Sequence, residues 1–293
     1  MKLIFEYCGI SRQAHYQALA RERLVAEREL LYVHLMGEIR DMHPGMGLRK
    51  MYDQFQPEGI GRDGFIALGL REGFRLRVFR NPARTTWRDK RSAFPNLLVG
   101  KKFTDVNQLW SSDITYFSLG ERFYYIVFIL DVYSRKIIGY SVADHLRATN
   151  NIAALKMAFR LRGIPHYNNE LIHHSDRGTQ YTSQAYVEKL TNAGIQISMC
   201  QEVLENSHIE RVNGIIKNEY LKHWEINNEK ELKKALKEAV NNYNKRLHRS
   251  LNSKTPNEFE EALKKNPHIE REPLKVFHYN RNSKDNPNQM TLF

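Results

Sequence analysis

Ten residues, Phe123-Tyr-Tyr-Ile-Val-Phe-Ile-Leu-Asp-Val132, form a nearly continuous apolar run. A run of this length is too short for a membrane span, which needs about 20 residues. It is rich in β-branched and aromatic residues, so it reads as a strand buried on both faces. Such a strand needs neighbours, and the flanking sequence supplies them. Leu109 to Leu119 alternates weakly and is β-rich at Ile114-Thr115-Tyr116-Phe117. Lys136 to Val142 follows after the tight connection Tyr133-Ser134-Arg135, completing a three-stranded antiparallel meander. A helical stretch from Thr149 to Leu161 is stopped by Gly163 and Pro165, and Leu171 to His174 is a short strand. Ser183 to Ala193 is helical, closed by Gly194, and Ile195 to Met199 is a last strand. The expected fold class is α/β, a mixed five-stranded sheet flanked by helices.

The rest of the chain reads as helical. Ser11 is a good N-cap for a helix over 11–40, with apolar residues at Leu24, Leu30, Leu31, Leu35 and Ile39. Met46 to Phe55 and Arg62 to Leu70 are two short helices around the turn Pro57-Glu58-Gly59-Ile60-Gly61, compatible with a helix-turn-helix. Beyond Asn206 helices are expected over 207–223, 229–243 and 256–265. The expected organisation is a helical region over 1–70, a basic linker over 71–102, a core over 103–223, a helical extension over 224–279 and a polar tail over 280–293.

Charge separates these parts. The 293 residues carry 45 Lys and Arg against 33 Asp and Glu, a net charge of +12. Residues 71–102 alone contribute +8, whereas residues 103–220 sum to −1. The linker mixes Arg84, Arg88, Lys101 and Lys102 with Trp87 and other aromatics, which suits a nucleic-acid backbone through phosphate pairing and stacking. The N-terminus lacks the apolar core of a secretory signal. Cys8 and Cys200 are too few for a disulfide framework or a four-cysteine zinc site.

Three acids stand out in the neutral core. Asp113 lies mid-strand, where Asp is disfavoured. Asp176 lies just past a short apolar strand, where sheet proteins collect catalytic groups. Glu210 lies near a helix start, with Lys217 two turns later on the same face. Carboxylates from two strands and a helix can hold two hard divalent cations, which activate a nucleophile and a leaving oxygen in phosphoryl transfer. Asp131 reads as a structural turn residue. His173 and His174 face opposite sides of a strand and cannot chelate together.

The motifs Trp110-Ser-Ser-Asp113-Ile-Thr115, Leu130-Asp131-Val-Tyr-Ser134-Arg135-Lys136-Ile-Ile-Gly139 and His174-Ser-Asp176-Arg-Gly-Thr-Gln180-Tyr181 carry a resemblance, as does Glu210 seven residues before Lys217. So do Tyr7-Cys8-Gly9-Ile10-Ser11-Arg12-Gln13, Met46-Gly47-Leu48-Arg49-Lys50, Tyr243-Asn244-Lys245-Arg246-Leu247-His248 and Thr255-Pro256. Together they resemble the second-reading-frame transposases of bacterial insertion sequences, over nearly the whole chain. That family has a retroviral-integrase-type core with a ribonuclease H-like fold.

The resemblance implies a DDE-type polynucleotidyl transferase with Asp113, Asp176 and Glu210 as its acidic triad. It implies Mg²⁺ as cofactor, two ions with Mn²⁺ able to substitute, and double-stranded DNA as substrate, both element ends and target. Water would hydrolyse the phosphodiester at an element end, and the freed 3′-hydroxyl would attack the target. Lys217, Arg177, Arg84, Trp87, Arg88, Lys101 and Lys102 are the expected DNA contacts. The resemblance further implies a fusion or complex with an upstream-frame product, a homo-oligomer on DNA, no membrane, and a nucleoid-associated place in the bacterial cytoplasm. One departure is the spacing. The 33 residues between Asp176 and Glu210 are two fewer than in many members. Glu202 and Glu205 lie near, and Glu205 is the alternative third carboxylate; only Glu210 has Lys217 at the matching distance. Rival readings are a non-catalytic DNA-binding regulator built on residues 1–102 and an RNA-strand nuclease of the same fold, expected to need a fourth carboxylate.

Overall fold

All three helical patterns of the N-terminal region form in a computed structural model that describes residues 7, 9–77, 79, 92–201, 203–266 and 272–275. Two units divide the chain: Met1–Pro82 with Asn218–His223, and Ala83–Lys217 with Trp224–Phe293.

In the first unit, helix α1 (Arg12–Met42) starts where Ser11 accepts a hydrogen bond from the Ala14 N–H at 3.0 Å. Helices α2 (Leu48–Phe55) and α3 (Arg62–Arg71) follow. Tyr32, Met36 and Ile39 of α1 pack with Met46, Leu48, Met51, Phe65 and Leu68. The expected apolar stripe is only partly used, because Leu24, Leu30 and Leu31 are exposed. Geometry explains this: a 31-residue helix is roughly 46 Å long, and neighbours of 8 and 10 residues cover only its last turns.

The second unit is built on a five-stranded sheet. Strand β1 (Lys102–Phe103) pairs instead with β7 (Leu274–Lys275) in a separate two-stranded ladder. Sequence reading missed that ladder, because two residues show no period. The main sheet comprises β2 (Leu109–Leu119), β3 (Arg122–Asp131), β4 (Lys136–Ala143), β5 (Ile172–Ser175) and β6 (Gln196–Met199). Its order is β4-β3-β2-β5-β6, with β2, β3 and β4 antiparallel and β2, β5 and β6 parallel. The apolar run is therefore the interior strand β3, buried from Ile126 to Asp131, although Phe123 at its start is exposed.

Helices α4 (Ala148–Arg162) and α5 (Gln184–Asn192) close one side. Helix α4 sits so near β4 that a Cβ on Gly139 would overlap the Ala154 carbonyl oxygen, so that position excludes any side chain. At the outer strand, Asn244 of α7 (Glu229–Asn244) acts as a strand surrogate. Its Oδ1 accepts from the Ile137 N–H at 3.0 Å and its Nδ2 donates to the Ile137 carbonyl at 2.9 Å. This happens beside a bulge, where Ile129 pairs with Gly139 but Leu130 pairs with Ile137. Helix α8 (Pro256–Lys265) begins with a capping box on Thr255 and Glu258.

The expected single helix over 207–223 is three pieces. Helix α6 (Ser207–Ile215) gives way to a π turn, Ile216–Tyr220, and a 3-10 turn, Leu221–His223. In the first unit the Glu219 carbonyl accepts from the Gly45 N–H at 2.8 Å. The Tyr220 hydroxyl is 2.8 Å from His43 Nδ1. These tertiary bonds outweigh the regular helix pattern.

Candidate active site

Alternation along β2 explains the Trp-Ser-Ser-Asp motif. Residues two apart share a face, so Trp110 and Ser112 point one way and Ser111 and Asp113 the other. Trp110 enters the apolar core with Tyr181 and Tyr186. Ser111 and Asp113 meet helix α6. The Ser111 hydroxyl donates to Asn206 Oδ1, and Asn206 Nδ2 donates to the Ser112 carbonyl at 3.0 Å. One helical face later, Asn213 Nδ2 donates to Asp113 Oδ2 at 2.7 Å. Further on, Lys217 Nζ stands over the Tyr116 ring at 5.3 Å from its centroid. Asn206, Glu210 and Asn213 follow an i, i+4, i+7 spacing on α6 and its N-cap, and Lys217 lies beyond, in the π turn.

The register of β2 with β5 positions the second acid. Ser112 pairs with Ser175 in parallel, so Asp113 and Asp176 follow as the next residues on strands about 4.8 Å apart. Asp176 Oδ1 accepts from the Gly178 N–H at 3.1 Å, and a Cβ on Gly178 would come within 3.1 Å of that same oxygen. Tyr181 ends the loop. Its hydroxyl lies 2.9 Å from Ser112 Oγ, which donates to the Phe128 carbonyl at 2.9 Å. Burial, with Asp176 and then Asp113 adding negative charge, holds the Tyr181 hydroxyl well above its ordinary pKa, so it stays protonated. The two serines therefore have separate tasks: Ser111 ties β2 to the helix of Glu210, and Ser112 ties it to the loop of Asp176.

Glu210 is half-buried in the first turn of α6. Glu205 is engaged elsewhere, its Oε2 accepting from the Gln201 N–H at 2.5 Å. Arg177 Nε donates to the Cys200 carbonyl at 2.8 Å, and Nη2 donates to the Gln201 carbonyl, fastening the segment that leads into α6. Lys101 and Lys102 are exposed. Arg84, Trp87, Arg88, Cys8 and Glu202 lie outside the described residues. His173 faces the core, with Nε2 3.0 Å from the Tyr186 hydroxyl. His174 faces the other side, with Nδ1 2.9 Å from Ser198 Oγ and Nε2 3.1 Å from Cys200 Sγ. Asp131 is fully buried and paired with Arg162 at 2.9 Å, consistent with a structural residue.

Among the described residues, no three His, Cys, Asp or Glu side chains converge closely enough to hold one ion. The donor chemistry nonetheless suits a hard divalent cation, since Asp113 and Asp176 bring carboxylate oxygens to adjacent positions. Asn213 Oδ1 is also buried, with no hydrogen-bond partner among the described residues. Asn206, Asn213 and Tyr181 were missed from the sequence. The signal for the two amides was their spacing around Glu210.

Comparison with known proteins adds a family. An integrase core domain matches residues 104–203, and a second integrase core domain matches residues 193–256. The protein named as the transposase for insertion sequence element IS986/IS6110 in Mycobacterium tuberculosis is 32% identical over 226 residues, 73% of this chain and 80% of its own. A 31 kDa protein of insertion element IS600 from Shigella sonnei is 32% identical over 270 residues, 86% of this chain and 96% of its own. Among solved structures, the HTLV-2 integrase catalytic core domain in complex with magnesium is 23% identical, covers 58% of this chain and 99% of its own, and gives a TM-score of 0.43. Among the described residues, no helix is long and apolar enough to cross a membrane.

Proposed function

This chain belongs to the insertion-sequence transposases with an integrase core domain, a DDE-type family acting on DNA ends in integration and recombination, and we propose that Asp113, Asp176 and Glu210 are its catalytic carboxylates. The observation that carries this reading is the Ser112–Ser175 register, with Asn213, on the helix of Glu210, reaching Asp113.

In this reading the three carboxylates hold Mg²⁺, as two ions, with Mn²⁺ as a substitute. When bound, the ions supply Lewis-acid activation of the attacking oxygen and neutralise the leaving oxygen. The chain's own contribution is placement. Asn213 orients the Asp113 carboxylate, Gly178 orients that of Asp176, and Asn206 sets the distance of the Glu210 helix from β2. Tyr181, fully buried, holds the loop of Asp176 to β2 through Ser112. The reaction is hydrolysis of a phosphodiester at an element end, then attack of the 3′-hydroxyl on a target phosphate, with no protein nucleophile.

The DNA contacts are Lys217, Arg177, Arg84, Trp87, Arg88, Lys101 and Lys102. Of these, Lys217 follows Glu210 by seven residues, and its ammonium stands over the Tyr116 ring of β2. The protein would act as an oligomer on DNA in the bacterial cytoplasm, as a fusion or complex with an upstream-frame product.

The test is a cleavage-and-joining assay on a duplex with element ends, with Mg²⁺ or Mn²⁺. Asp113→Asn, Asp176→Asn and Glu210→Gln should each reduce both steps to background while folding normally, and Glu205→Gln should not. Full activity in any of the first three would remove that residue from the triad.

A further inference from the structure

Arg135 stands in the tight turn between β3 and β4 with a φ of +59°. That left-handed region disfavours any residue with a Cβ, and glycine or asparagine would enter it more easily. The reason for an arginine there must lie in its side chain. The side chain is half-buried and turns onto helix α6, where Nη1 meets His208 Nδ1 at 2.5 Å. An arginine N–H facing a ring nitrogen leaves that nitrogen only the acceptor role, so His208 carries no charge in this contact. Arg211 follows one turn later on α6 and adds a second guanidinium whose field reaches both Arg135 and His208.

What is missing is an acid. Among the described residues neither Arg135 nor Arg211 has a carboxylate ion-pair partner. The acid of the same turn, Asp131, is taken by Arg162 at 2.9 Å. Tyr243 is the other ionisable group near Arg135. Arg135 uses one of its five N–H donors on His208, and the described residues offer the others no hydrogen-bond partner. A half-buried guanidinium beside a second, exposed one, with no counter-charge, is costly, and an anion with several oxygens relieves it. The planar guanidinium fork matches a phosphate bidentately.

We propose that Arg135 and Arg211, with His208 orienting the first, bind one backbone phosphate of the DNA strand served by the carboxylate site. This rests on the DNA-acting reading above and deepens it. Arg211 directly follows Glu210, and the 100° turn per residue aims its side chain away from the carboxylate face. A phosphate held there would fix the register of the strand against Glu210 while taking no part in the chemistry.

The experiment is binding of the full chain to a labelled duplex with element ends, followed by anisotropy across a salt series, with cleavage measured in parallel. Arg211→Gln and Arg135→Gln should each weaken binding about tenfold, and the double variant should weaken it little further, because both arginines serve one phosphate. The slope of log affinity against log salt should be shallower by about 0.9, the share of a single phosphate contact. Should Arg135→Gln fail to fold, the exposed Arg211 still decides the matter. Wild-type affinity and salt slope in Arg211→Gln would overturn the proposal. A wild-type chain that binds and cleaves while these variants match it would sink this inference alone. A wild-type chain that binds no duplex would sink the parent reading as well.

Discussion

Two sets of carboxylates in the second unit are treated in opposite ways. Asp131, at the end of β3, and Glu260, on α8, share Arg162, which donates to Asp131 at 2.9 Å and to Glu260 at 2.8 Å. Lys136 adds a bond to Glu260 at 3.0 Å, and Ser134 donates to it at 2.7 Å. Burial pushes the Asp131 carboxyl up against the pull of Arg162. Burial also raises Glu260, but the Arg162 hydrogen bond and charge leave it below its ordinary value. By contrast, Asp113 on β2 accepts a hydrogen bond from the neutral amide of Asn213, and Asp176, just past β5, accepts one from the Gly178 N–H. Cationic partners offset a carboxylate's charge, whereas neutral donors orient it. In the proposed reading the first set is structural and the second catalytic.

The largest effect should come from breaking the ionic set. Arg162→Met leaves Asp131 and Glu260 buried without their shared cation, and such breaks cost about 3–5 kcal/mol. In a domain of this size each kcal/mol lowers Tm by about 2–4 °C. A melting curve should show that loss, while cleavage per folded molecule stays near wild type. An unchanged Tm would mean the cluster is not what fastens α8 to the sheet.

Asn213→Ala should give the reverse pattern. It removes the donor that aims Asp113, and outer partners of metal-site ligands typically cost about 10–100-fold in activity or metal affinity. Mn²⁺ titration and the cleavage rate should both fall, with a Tm shift smaller than that of Arg162→Met. A variant that melts early yet cleaves normally per folded molecule would place Asn213 with the structural set.

The contrast also shows what the sequence could carry. The strand run, the mid-strand Asp113, the strand-end Asp176 and the structural reading of Asp131 were all legible, because period, propensity and position are local signals. The partner of Asp131 was not. Arg135 is closer in sequence, but Arg162 is the residue that folding brings to it. The work of Asn206 and Tyr181 was hidden for the same reason, since Asn206 bonds across to Ser111 and Ser112 and Tyr181 across to Ser112. The single long helix over 207–223 was over-read, because the bonds made there, such as Gly45 N–H to the Glu219 carbonyl, join residues far apart in sequence. Arg84, Trp87 and Arg88 of the basic linker lie outside the described residues.

The smallest effect separates buried charge from buried neutrality by pH. His173 is fully buried on the core face of β5, and burial, with His174 beside it, depresses its pKa to about 3. Its ordinary value is 6.5, so between pH 6.5 and 3 the unfolded chain binds one more proton than the folded one at this residue. Stability from His173 is therefore present above pH 6.5 and drains as pH falls, by about 1.4 kcal/mol per pH unit. Glu260, held below its ordinary 4.5, begins to cost stability only below that pH. Acid loss should thus start at the imidazoles and reach the ionic cluster later. In His173→Gln, whose amide oxygen can still accept from Tyr186, the stability-against-pH slope between 6.5 and 4.5 should flatten by about one proton. Urea denaturation at stepped pH reads this directly. A slope in that window unaltered by the substitution would show that His173 does not supply the early loss.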